Sequence, residues 1–197
     1  MRMRNGQTMI EMIFAIGIIG IGLLAATTLV FSNLALEDRD KDEVSAINLA
    51  REGLELGKNL RDSNWLAGNS FDTGMVGTGS DYTATPEWNG ISNSNAFDFT
   101  ANDFTDPRTK VMSSASAGAV YFLANWEPGF SGTSSTFSRL VTFHPICSDF
   151  TTVLNSGAAC TDSGKIKVGV RVESHVRWME QSVQKDTVMY DDLYDWR

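Results

Sequence analysis

Residues Met12 to Phe31, "MIFAIGIIGIGLLAATTLVF", form a run without a single charged side chain. As a helix, twenty residues rise about 30 Å, the hydrocarbon thickness of a bilayer. A core helix of a soluble domain keeps a polar face over such a length, and this run has none. A cleaved secretory signal has an apolar region of about 7–15 residues and an A-x-A-like site. No A-x-A stands near the end of this run, and the residues after it are charged and keep a helical pattern. The run therefore predicts one membrane-spanning helix. Arg2 and Arg4 lie in the short leader "MRMRNG", which places the N-terminus in the cytoplasm by the positive-inside rule. The segment Glu37–Glu43, "EDRDKDE", is net acidic and offers no competing basic flank, so the remainder of the chain is expected outside the cytoplasm.

The charge balance limits what that remainder does. The 197 residues carry a formal net charge of −8, and the part beyond the leader is more acidic still. A sequence-independent nucleic-acid surface needs the opposite sign, so no stable nucleic-acid site is expected. Two cysteines and two histidines are too few to make a four-ligand zinc site a reasonable expectation. There is no G-x-S-x-G, no H-E-x-x-H and no Gly-rich phosphate loop. Neither an enzyme nor a bound cofactor is expected.

One carboxylate, Glu11, stands at the mouth of the apolar run. An ionised carboxylate in hydrocarbon costs several kcal/mol, on the order of the effective burial penalty of an ion, unless it is paired. Two readings stand: Glu11 reaches interfacial water, or it has a cationic partner. Around it the order is Gly6, Gln7, Thr8, Met9, Ile10, Glu11, then the apolar helix. This resembles the N-terminus of type IV prepilins and type II secretion pseudopilins, in which a short basic leader ends in Gly. A Thr, two apolar residues and a Glu follow the residue after the cut. The likeness covers about the first 30 residues and implies cleavage between Gly6 and Gln7 by a prepilin peptidase, with methylation of the new amine on Gln7. Glu11 would then neutralise that amine in a neighbouring subunit and set the register of assembly. Gln7 stands where the family usually has Phe. The run has no proline but carries Gly17, Gly20 and Gly22, and "IGIGLLAATTL" is similar to the minor pilin V and pseudopilin I subgroup.

Beyond the run, periodicity extends the helix to about Trp65. Ser45, Asn48, Arg51, Glu52, Glu55, Lys58, Asn59 and Asp62 make a polar face. Val44, Ile47, Ala50, Leu54 and Gly57 make the opposite one, flanked by Leu49, Gly53, Leu56 and Leu60, and this face is expected to pack on a sheet. Residues 67–118 are rich in Gly, Ser, Thr, Asn and Asp, with scattered aromatics (Phe71, Tyr82, Trp88, Phe97, Phe99, Phe104) that suggest a long connection folded back on the head. Asp98, Asp103 and Asp106 cluster there. Their spacing does not match an EF-hand, and turn chemistry is the expectation rather than calcium. From Ile166 to Trp178 the even positions are apolar, save Ser174, and the odd ones mostly polar, which predicts a long antiparallel strand. Further strands are expected near 119–124, 139–143 and 187–190, with Leu193 and Trp196 docking the tail. His144 and His175 are expected to be solvated.

Cys147 and Cys160 bracket the loop "SDFTTVLNSGAA". A disulfide is permitted outside the cytoplasm, and the resemblance agrees, because pilins often staple a C-terminal loop; two free thiols are the alternative. No N-x-[ST] sequon is present.

The expectation is a pilin-like α+β fold. A leader (1–6) precedes the transmembrane and filament-core helix (7–36), and an amphipathic continuation (37–66) leads into a connecting region (67–118) and an antiparallel sheet with its disulfide loop (119–197). Such a subunit would polymerise with other pilin subunits through its helix. It would depend on the prepilin peptidase and on assembly platform proteins, and its head would lie in a cell-surface or periplasmic filament. The rival is a signal-anchored surface adhesin that never polymerises.

Overall fold

The computed structural model describes residues 5–76, 82–86, 97–114, 121–122, 132–149, 160 and 165–196. The first element, α1, runs without interruption from Asn5 to Ala67. Its stop is encoded locally. Gly68 takes φ +74°, which glycine adopts without a Cβ penalty. The Gly68 N–H donates to the Trp65 carbonyl (3.2 Å) and the Asn69 N–H to that of Asn64 (2.9 Å), the paired bonds of a Schellman end.

Among the described residues seven strands follow, all paired antiparallel. They are β1 (Thr83–Pro86), β2 (Phe97–Asp98), β3 (Lys110–Ser114), β4 (Tyr121–Phe122), β5 (Gly132–Cys147), β6 (Lys167–Glu180) and β7 (Val183–Tyr194). A 3-10 turn, Pro107–Thr109, leads into β3. The centre is β5. One side of it carries β6 and then β7, and the other is shared by β1 beside Val141–Thr142 and β3 beside Gly132–Ser138. Pro145 sits inside this central strand without breaking a bond to β6. The Phe143 N–H points to the Tyr82 carbonyl, so the nitrogen two residues on faces that same side, away from β6.

The chain divides into two compact units, with the boundary between Glu43 and Val44. In the second unit, the helix segment from Val44 onward packs on the sheet. Ala46, Leu49, Ala50, Leu54, Leu60 and Trp65 are buried, as are Gly53 and Gly57. The two glycines are where helix and sheet come closest. A Cβ on Gly53 would collide with Ser174 Oγ, and one on Gly57 would sit 3.1 Å from Val172 Cγ2. Val141, Phe143, Val170, Val172, Val176 and Trp178 supply the sheet's side of the core. Together this is the α+β architecture expected from the sequence: a long N-terminal helix on a C-terminal antiparallel sheet.

Several local expectations need correction. Val44 is 57% exposed although it belongs to the apolar stripe; the buried face begins at Ala46. The even-numbered pattern of β6 holds from Val170, but Ile166 lies before the strand and is exposed. The short strand expected at 139–143 is sixteen residues long, and the one expected at 187–190 runs from Val183 to Tyr194. Leu193 is buried within β7, whereas Trp196 remains 70% exposed, with its ring edge-on to Trp65 at 4.5 Å. The histidines are half-buried rather than solvated. His144 Nε2 stands 3.6 Å from Glu173 Oε2, and His175 Nε2 stands 3.3 Å from Asp186 Oδ2. Of the strand expected at 119–124, Tyr121–Phe122 is described and the rest lies outside the described residues, as does Trp88.

The aromatics of the connecting region do return to the head. Phe71 and Phe97 are buried, Phe97 meets Phe143 edge-on at 4.9 Å, and Phe104 covers His175 and Arg177. The aspartates beside them are held by protein groups. Arg108 Nη2 and Nε donate to the two oxygens of Asp106 (2.6 and 3.0 Å), and Arg108 Nη1 donates to Asp98 Oδ2 (3.0 Å). Asp103 Oδ1 accepts the Thr105 N–H. The Arg108 hydrogen bonds hold the Asp106 carboxyl below its ordinary range.

Candidate functional site: the N-terminal helix

Gly6 and Gln7 fall in the first turn of α1, and Glu11 one turn further on. Glu11 is exposed, and no ion-pair partner for it occurs among the described residues. Beyond it the helix presents apolar side chains on every side. Ile13, Phe14, Ile16, Ile18, Ile21, Leu24 and Phe31 are each at least two-thirds exposed. The segment is long and apolar enough to cross a membrane, and none of its apolar window is buried in the protein.

Its few polar side chains are satisfied within the helix. Thr27 donates to the Leu24 carbonyl (2.9 Å), Thr28 to Ala25 (2.8 Å) and Ser32 to Leu29 (2.9 Å). Hydroxyls closed in this way carry no unmet hydrogen bond into hydrocarbon. Leu23, Ala26, Thr27, Val30 and Phe31 outline a shallow apolar depression between two large side chains, a shape that accepts a side chain from another helix. After the span, Lys41 pairs with Glu37 at 2.8 Å, one helical turn apart.

Cys147 and Cys160 are joined in a disulfide. Sequence reasoning missed Arg139. This side chain is completely buried on β5, and Nη1 donates to the Leu49 carbonyl of α1 and to Glu52 Oε2 at 3.1 Å. Burial pushes the guanidinium below its usual pKa, and Glu52 opposes that shift. A signal was present: Arg139 shares the period-two face of Phe137, Val141 and Phe143. Among the described residues, no group of three or more His, Cys, Asp or Glu could hold a metal ion.

The fold is an α+β head that follows an apolar N-terminal helix long enough to cross a membrane. Residues 1–27 match the prokaryotic N-terminal methylation motif. The chain thus carries a prepilin-type N-terminal motif, of the kind found in type IV pilins and pseudopilins. No curated protein and no solved structure matches it. The motif and the apolar helix together support a pilin- or pseudopilin-like subunit anchored in a membrane.

Proposed function

We propose that the chain is made as a prepilin, cut between Gly6 and Gln7, methylated on the new amine and polymerised through α1. The conjunction of a basic leader ending in Gly6, Glu11 four residues after Gln7, and an unbroken apolar helix carries this reading. Cleavage creates a cation at Gln7, about 6 Å along the axis from Glu11. Two charges that are costly singly become a pair when Glu11 of one subunit meets the Gln7 amine of the next. The apolar surface of α1, first in lipid, becomes the core of the filament, and the acidic heads lie outside. Prepilin peptidase and assembly platform proteins are the further partners, and the membrane is the starting point. The disulfide agrees with a head outside the cytoplasm.

Intact mass and N-terminal sequencing of the protein from membranes test the first step. The expected mature chain starts at Gln7 with a methylated amine, and Gly6→Val abolishes the cut. A chain still beginning at Met1, or Gly6→Val processed as wild type, removes the amine and with it the reading. Glu11→Ala separates a filament subunit from a signal-anchored adhesin. Display of the head on the membrane persists in both cases, but recovery in sheared filaments is lost only for the filament subunit.

A further inference from the structure

One edge of the sheet ends on β7. It pairs with β6 along its whole length and with no other strand among the described residues. Its bonding directions follow from two contacts. Asp195, opposite Val168 in the continued register, donates its N–H to the Val168 carbonyl at 2.9 Å. The odd-numbered residues therefore bond inward, and Gln184, Asp186, Val188, Tyr190 and Asp192 turn N–H and C=O outward. The Asp192 N–H, pointing outward, is met by Asp191 Oδ1 at 2.9 Å. No proline and no register shift interrupts the strand, and Val188 and Tyr190 are 44% and 64% exposed. An open edge of this length is a template for another strand.

The charges indicate which strand. Three carboxylates of β7 are engaged within the chain: Asp186 lies 3.3 Å from His175, Asp191 lies 2.9 Å from Lys58, and Asp192 lies 2.6 Å from Arg171. Lys185 has no ion pair among the described residues. We propose that β7 pairs antiparallel with β7 of a second copy, about a two-fold axis through Val188. In that register Lys185 faces Asp191 of the second copy, twice, at a non-hydrogen-bonded position where side chains are closest. Asp186 faces Tyr190, Gln184 faces Asp192, and no like charges are opposed. An axis through Met189 sets Asp186 against Asp192, and one through Asp186 sets it against itself. An axis through Thr187 opposes no complementary charges, and one through Tyr190 shortens the paired stretch and moves Lys185 opposite Asp195, beyond the end of β7.

The axis is normal to the sheet, so it reverses the helix segment from Val44 to Ala67 that lies along the sheet. The two paired subunits then have opposite polarity. The contact therefore cannot join successive subunits of one filament, whose heads share one polarity. That last clause rests on the filament reading, whereas the pairing itself does not.

Cysteine cross-linking of the full-length chain in detergent, with the native disulfide intact, tests the pairing. Val188→Cys is expected to form a covalent dimer. Asp186→Cys and Tyr190→Cys are expected to cross-link when mixed and not when either is alone. Lys185→Glu, added to Val188→Cys, is expected to weaken the dimer about tenfold, the scale of two cross-strand charge pairs turned repulsive. Val188→Cys cross-linking no better than an exposed helix control, Glu55→Cys, overturns the proposal. Equal cross-linking of Asp186→Cys alone and in the mixture overturns the register. Processing at Gly6 is read separately by mass, so failure of the filament reading leaves this result interpretable.

Discussion

The two stretches of α1 are built from the same kind of residue for different reasons. In the stretch before Val44, Gly17, Gly20 and Gly22 have nothing within 4 Å of where a Cβ would be. In the stretch after it, Gly53 and Gly57 have Ser174 and Val172 within contact distance. One set of glycines lowers side-chain bulk on a helix whose surface is open in a single chain. The other set lets a helix backbone approach a sheet inside a finished core. A glycine costs a helix about 1 kcal/mol relative to alanine wherever it sits. In the second stretch, close packing on the sheet offsets that cost within the same chain. In the first, any compensation has to come from other molecules.

Substitutions that treat the two stretches alike should separate them. Gly53→Val is expected to destabilise the head by about 3 kcal/mol, the upper range for overpacking, because Ser174 and Val141 have little room to retreat. Gly20→Val should leave thermal unfolding of the head unchanged, and equal losses in the two variants would break the comparison. Breaking the staple with Cys147→Ser and Cys160→Ser should cost about 3 kcal/mol for a loop of this length, read as a lower denaturant midpoint. Glu52→Gln leaves the buried Arg139 without its counter-charge. Because Glu52 is half exposed, the expected loss is about 2 kcal/mol rather than the full cost of a broken buried pair. Arg139→Met, which removes the buried charge itself, should change stability by less than about 1 kcal/mol.

The smallest expected effect is a pH dependence. Asp106 is more acidic in the folded head than in the unfolded chain, chiefly through its hydrogen bonds with Arg108. Its contribution is fully present above the ordinary carboxylate pKa, 3.8, and is lost as the pH falls through the lower folded value. A melting curve taken from pH 5 down to pH 2 should be less steep in Arg108→Met than in the wild type.

Local patterns carried much of this into the sequence. The apolar run, the order Gly6 to Glu11 and the helix end near Trp65 are properties of neighbouring residues, and alternation made β6 legible before any partner was known. Features that depend on distant residues were harder to read. The first half of β5, "GTSSTFS", lacks apolar alternation because Thr133, Ser134 and Thr136 are not buried, so only its central stretch was recognised. The half-buried state of His175 depends on Phe104, far away in the chain. The burial of Arg139 depends on a carbonyl and a carboxylate from α1, a partnership that sequence spacing does not express. For the proposed assembly residues Gly6, Gln7 and Glu11, the resemblance points to the positions, but the proposed partner is another copy of the chain and therefore lies outside any single-chain pattern.

The contact between α1 and β6 also has a consequence in time. Leu49, Ala50 and Gly53 emerge from the ribosome long before Val172, Ser174 and Val176, the residues against which this helix face packs. The first element made is thus among the last to be covered, and the head cannot close until nearly the whole chain has emerged. Contacts so far apart in sequence slow folding and leave apolar surface waiting. An anchor already threaded into lipid would hold the nascent chain apart from its neighbours during that wait.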